Sequence, residues 1–151
     1  MTAPRTRLRF LPAILWLAVI FFLSSQTGEQ TAAISLAIAR WLARLFPGVS
    51  LTSLHLALRK AAHIGVYFVE GALLFPALYG QKGRAGRALA LTVALCALIA
   101  VVDEAHKLAI PGRHCSWPEA ALNFLGALPG VALALAIVKR KEKRERRRPA
   151  P

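Results

Sequence analysis

Ala61-Ala-His-Ile-Gly-Val-Tyr-Phe-Val-Glu-Gly-Ala-Leu-Leu-Phe-Pro-Ala-Leu-Tyr79 is an apolar run of 19 residues, and the basic loop Gln81-Lys-Gly-Arg-Ala-Gly-Arg87 follows it. A helix needs about 20 such residues to cross a bilayer. Three more apolar runs lie outward from it: residues 10–25, clearly apolar to Leu23, residues 88–102 and residues 120–138. The run 88–102 has 15 residues and must borrow length from its polar flanks. Open sheet edges find no partner in lipid, so each run is expected to be a helix. The expected fold class is an all-α membrane protein with four transmembrane helices.

Fourteen of the twenty Lys and Arg residues fall into three clusters: Arg5, Arg7 and Arg9; Lys82, Arg84 and Arg87; and eight within residues 139–148. Four crossings return all three clusters to one side. An excess of Lys and Arg marks cytoplasmic loops, so both termini are expected in the cytoplasm of a multi-pass cell-membrane protein. The organisation is then a basic N-terminal segment (1–9), a four-helix membrane domain (10–138) and a basic tail (139–151).

Composition agrees. Hydrophobic residues make up 56% of the 151-residue chain and charged residues 18%, against roughly 45–50% and about 25% in soluble domains. The length allows one small domain. A net charge of +13 would suit nucleic acid. A basic tail beside an apolar segment is explained more simply by topology and anionic head groups. Membrane lipids are the expected partners, and nucleic acid is not. Basic residues ahead of 14 apolar ones also fit a signal peptide. Leu23-Ser-Ser-Gln-Thr27 lacks a clean small-x-small site, so the first span is expected to remain.

Residues 29–60 are too polar to cross. Within them Ile34, Ile38, Trp41, Leu42 and Leu45 recur at helical spacing, with Ala33, Ala37, Arg40 and Arg44 on another face, until Pro47-Gly48 stops the pattern. This predicts an amphipathic helix between the first and second spans, lying at the interface or packed over the mouth of the bundle.

The remaining polar residues collect on the outer side. Lys60, His63, Tyr67 and Glu70 share one helical stripe. Glu70 stands about 15 Å along the axis from Lys60, near the bilayer middle. A charge there costs ~2.5–3.5 kcal/mol or more, so Glu70 should face the interior, pair or be protonated. Asp103-Glu-Ala-His-Lys107 ends the third span, with Asp103 spaced to meet His106 and Lys107. Pro111-Gly-Arg-His-Cys-Ser-Trp-Pro-Glu119 is rich in turn formers and able to fold back over the mouth. The fourth span carries Glu119, Asn123, Gly126 and Gly130 on one stripe; the glycines permit close helix approach, and Pro129 is a candidate kink.

These stripes reach one depth. The expected binding set is Lys60, His63, Tyr67, Asp103, Glu104, His106, Arg113, Ser116, Glu119 and Asn123. Lys60 and Arg113 would contact an anion, Tyr67 and Asn123 would hydrogen-bond, and His63, His106, Asp103 and Glu104 are the candidate acids and bases. Such a set suits a phosphate or carboxylate head group. No run has a metal spacing such as HExxH, and neither metal nor other cofactor is expected. Ser24, Ser25 and Ser116 have acids and histidines nearby but no nucleophile elbow. Cys96 and Cys115 fall at different depths, which disfavours a disulfide. The plain structural alternative is a polar network that only holds helices together.

Ser24-Ser-Gln-Thr-Gly-Glu-Gln30, Arg59-Lys-Ala-Ala-His63 with Tyr67, and Asp103-Glu-Ala-His106 followed by Pro111-Gly-Arg113, a later acid and Gly126 resemble the VanZ-like family in order. The resemblance spans roughly residues 10–138. The chain departs from that pattern at Lys107, where the family usually has Gln, and at Glu119, where it commonly has Asp. Val66 stands where one branch has Glu, and Glu70 has no family counterpart. The resemblance implies a small bacterial cell-envelope membrane protein, sometimes linked to resistance against teicoplanin-type glycopeptides, and it supplies no reaction. Two functions stay open. One is binding of an anionic lipid or cell-wall precursor head group at the outer interface, altering antibiotic access. The other is a membrane enzyme acting on a lipid-linked phosphate, with His63 or His106 as general acid or base and Arg113 and Lys60 holding the anion.

Overall fold

The computed structural model describes residues 8–80 and 85–147, and within them all regular structure is helical. Arg5, Arg7, Lys82, Arg84 and Arg148 of the basic clusters lie outside the described residues. Among the described residues the helices run in the order α1 (Leu11–Ser24), α2 (Gly28–Leu45), α3 (Leu51–Tyr79), α4 (Ala85–His106) and α5 (Trp117–Arg146), with a 3-10 turn, Lys107–Ala109, closing α4.

The helices α3, α4 with its 3-10 turn, and α5 are each long and apolar enough to cross a membrane. With 14 residues, α1 is about 21 Å long at ~1.5 Å per residue, short of a hydrocarbon core of about 30 Å. Together with α2 it forms a bent pair, at 98°, that also passes, so the described helices supply three crossings or up to four. If α1 stands across the membrane, that angle lays α2 along its surface, as an interfacial helix requires. Ile34, Ile38, Trp41 and Leu45 all stay exposed on it, an apolar face available to lipid.

The bend has a local cause. Thr27 accepts from the Gln30 backbone N–H (3.3 Å), while the Thr27 backbone N–H donates to the Gln30 side chain (3.0 Å). This capping box starts α2 afresh and forbids continuation of α1. Part of the motif Ser24–Gln30 is therefore the chemistry of an elbow.

Two boundaries differ most from the sequence reading, and one is the end of α5, which continues past the expected Val138 to Arg146. The second crossing helix begins at Leu51, ten residues before the expected Ala61, with Ser50 as its N-cap. Leu51, Leu54, His55 and Leu58 recur at i, i+3, i+4 and i+7, which carries the helix through a stretch too polar to cross. His55 Nδ1 there meets Ser35 Oγ of α2 at 3.2 Å.

The tightest seam joins α3 and α5, and small residues make it. A Cβ on Gly130 would lie 1.9 Å from the Phe68 carbonyl oxygen, one on Gly71 2.3 Å from the Ala127 carbonyl oxygen, and one on Gly126 2.8 Å from the Ile64 Cα. The expected close approach at Gly126 and Gly130 is thus made against α3. The helix α5 runs unbroken past Pro129. Buried Tyr67, Phe75, Cys96, Ala100 and Val131 form the centre, while Leu91, Leu98, Leu125, Leu133 and Ile137 point outward. Such outward apolar rows suit helices whose solvent is lipid. Cys96 is buried, Cys115 half-buried, and both are free thiols.

Cross-links fix which ends meet. Trp16 donates its indole N–H to the Val66 carbonyl at 2.8 Å, tying α1 to α3. At one end Arg9 bonds the Gly80 carbonyl and the Tyr79 hydroxyl bonds Glu142. The described members of the basic clusters, Arg9, Arg87 and residues 139–147, collect at that end. The polar residues of interest gather at the other.

Candidate functional site

The site is built around the elbow between α1 and α2. Gly112 takes a left-handed conformation, φ 73°, that glycine adopts without steric cost. The turn brings the segment against the elbow, its carbonyl oxygen 3.3 Å from where a Cβ on Gly28 would stand. Arg113 follows. Its Nη1 donates to Thr31 Oγ1 at 3.3 Å and its Nη2 to the Ser24 carbonyl at 3.5 Å. Its Nε is buried without a partner. Among the described residues no carboxylate pairs with this guanidinium.

Lys107 is the opposite case. Its side chain is buried between Glu104 and Glu119, the latter at 3.1 Å. Glu104 is fully buried and also accepts the Ser116 backbone N–H at 3.1 Å. Asp103 therefore pairs with neither His106 nor Lys107, contrary to the spacing argument. Glu104, anchored from the loop side by Ser116, is the carboxylate that the folded-back turn holds in front of the ammonium. Lys107 and Glu119, two of the positions where the sequence departs from the resemblance, are in direct contact.

His63 shares a hydrogen bond of 2.9 Å, Nδ1 to Asn123 Oδ1. With Nδ1 as donor, a neutral ring keeps Nε2 as an acceptor. His106 Nε2 lies 3.1 Å from Ser25 Oγ, and its ring stands edge-on to Phe21. The Ser25 hydroxyl donates its single proton to the Phe21 carbonyl at 2.7 Å. His106 is thus the donor to that oxygen, which is the wrong direction for activating a serine nucleophile. Ser116 caps α5 by accepting from the Glu119 backbone N–H at 3.4 Å.

A cavity of about 410 Å³ opens where α1, α2, α3 and the turn after α4 meet. Of the ten expected site residues, His63, Tyr67, Asp103 and Arg113 line it, and Lys107, outside that set, lines it beside them. Glu104, Glu119 and Asn123 stand behind them, holding Lys107 and His63, and Ser116 braces Glu104. His106 bonds the elbow. Lys60 is not brought in: it is exposed, and Arg59 lines the cavity instead. The spacing allowed either, since Arg59 is i−4 and Lys60 i−3 from His63. The sequence reading also missed Thr31 and Ser35 of α2 as lining residues; their signal was polar positions between the apolar ones of an amphipathic helix. Glu70 is buried on the same face of α3 as Tyr67, in line with an inward orientation. Among the described residues no group of three or more His, Cys, Asp or Glu is placed to hold a metal ion.

Helices long and apolar enough to cross a membrane, with a largely apolar cavity and a few polar side chains at one end of the bundle, define a multi-pass membrane protein. The family model VanZ/LLP1 matches residues 10–139, and the chain belongs to the VanZ-like family. No curated protein and no solved structure matches it.

Proposed function

We propose that this VanZ-like protein lies in the bacterial cell membrane with both termini in the cytoplasm and uses the pocket at its outer face to bind an anionic head group. The head group belongs to a lipid or a lipid-linked cell-wall precursor, and its capture alters access of teicoplanin-type glycopeptides to the envelope. The observation that carries the reading is Arg113, which lines the cavity, keeps a buried N–H without a partner and, among the described residues, has no carboxylate paired with it. A planar fork of that kind is suited to phosphate or carboxylate. Lys107, neutralised by two acids, is a poorer anion contact. Enzymatic acid or base chemistry at His63 or His106 is the second reading. His106 gives it little support because it donates to Ser25. His63 keeps it open, with Nε2 free to accept.

Orientation is tested by thiol labelling of single-cysteine variants in intact cells. Cysteine at Pro111 is expected to react with an impermeant reagent and cysteine at Gly86 is not; the reverse pattern overturns the orientation. The binding role is tested by Arg113→Lys and His63→Gln. Both are expected to insert and melt within a few degrees of wild type and to lose the cellular effect on glycopeptide susceptibility. Full effect in both, or loss accompanied by collapsed stability, would return these residues to a purely structural role.

A further inference from the structure

Ligands of quite different shape would satisfy Arg113 alone, but the rest of the cavity narrows the choice. Ile34 and Ile38 continue along α2 beyond Thr31, to which Arg113 bonds, and Ile20 lies one turn below Ser24 on α1; with Leu58 and Val66 of α3 they line one arm of the cavity with hydrocarbon. Ile34 and Ile38 are 57% and 46% exposed, so this arm opens sideways on the face that α2 offers to lipid. The polar arm holds four buried atoms without partners: Ser24 Oγ, Tyr67 hydroxyl, Asp103 Oδ1 and Arg113 Nε. Ser24, Tyr67 and Asp103 are only 6%, 2% and 3% exposed. Leaving such groups unpaired costs about 1–3 kcal/mol each.

The chemistry of these orphans is mixed. Arg113 Nε can only donate, and an ionised Asp103 can only accept. The Tyr67 hydroxyl and Asp103 Oδ1 are both without a hydrogen-bond partner, and the carboxylate offers about four lone-pair sites. A bare phosphate would satisfy the guanidinium while setting its own oxygens against the Asp103 carboxylate. A head group with a donor on the far side of its phosphate would satisfy both.

We infer, building on the anion-binding reading above, that the occupant is a phospholipid whose head carries a hydrogen-bond donor as well as a phosphodiester, with an acyl chain in the apolar arm. The phosphodiester meets Arg113, and a hydroxyl or ammonium proton of the head meets Asp103.

The test is native mass spectrometry of the full chain, delipidated in detergent, against three probes. Phosphatidylglycerol has charge, donor and chains; phosphatidylmethanol has the same charge and chains without the donor; glycerol phosphate has no chain. A hydrogen bond to a charged group is worth enough for phosphatidylglycerol to bind about tenfold or more tightly than phosphatidylmethanol. Asp103→Leu removes that preference, and Asp103→Asn, closer in size, weakens it if the leucine variant fails to assemble. Ile34→Trp and Ile38→Trp, which fill the apolar arm from an exposed face, weaken both lipids. Equal binding of the two lipids by wild type overturns the donor while leaving the anion reading intact. Glycerol phosphate binding as tightly as phosphatidylglycerol overturns the chain. No binding of any probe removes this inference and the anion reading together.

Discussion

Gly130→Ala should collapse the bundle, although alanine is the better helix former. In an open helix position the exchange would gain up to about 1 kcal/mol. Here the new Cβ would stand 1.9 Å from the Phe68 carbonyl oxygen and 3.0 Å from the Ala72 nitrogen. Both obstacles are backbone, so no side chain can turn aside and the α3–α5 seam must part. Overpacking of this severity costs upward of about 3 kcal/mol, several times the propensity gain. Gly65→Ala on α3 is the control, because nothing lies within 4 Å of its added Cβ. Melting in detergent should fall steeply for Gly130→Ala and hold or rise for Gly65→Ala. Equal melting of the two would refute the close seam.

The second large effect is expected at Lys107. Replacement by methionine leaves the fully buried Glu104 facing no cation, and breaking a buried pair from one side costs about 3–5 kcal/mol. Lys107→Gln keeps a donor to Glu104 and should cost no more than about 1–2 kcal/mol. Adding Glu104→Gln to Lys107→Met should recover much of the loss, since an amide oxygen still accepts the Ser116 N–H and no buried charge remains. Chemical or thermal melting of the three variants gives the comparison. A methionine variant as stable as wild type would mean that the ion pair contributes nothing.

Much of the architecture was legible because lipid imposes a simple rule on helices. Apolar runs and Pro47-Gly48 after α2 located the described helices, with α3 and α5 longer than the runs themselves. The seam at Gly126 and Gly130 was legible for the same reason, as close packing in lipid calls for small residues. What escaped was set by contacts between distant segments. The early start of α3 at Leu51 depends on packing against α2, where His55 meets Ser35. Glu104 rather than Asp103 takes Lys107 because the Ser116 N–H, twelve residues onward, holds Glu104 in place. Arg59 and Lys60 were equivalent by spacing, and only the direction in which α3 faces α2 separates them. The expectation for Glu70, inward at mid-helix, rested on the cost of a charge in lipid and needed no partner to be known.

The most direct measurement is the mass of whatever the protein retains when it is gently extracted from its own membrane. Wild type and Arg113→Ala should be compared by native mass spectrometry at matched melting temperature. A phosphate-bearing lipid adduct is expected on wild type and should be largely lost from Arg113→Ala. Identical adducts on both proteins would mean that Arg113 holds no anionic head group.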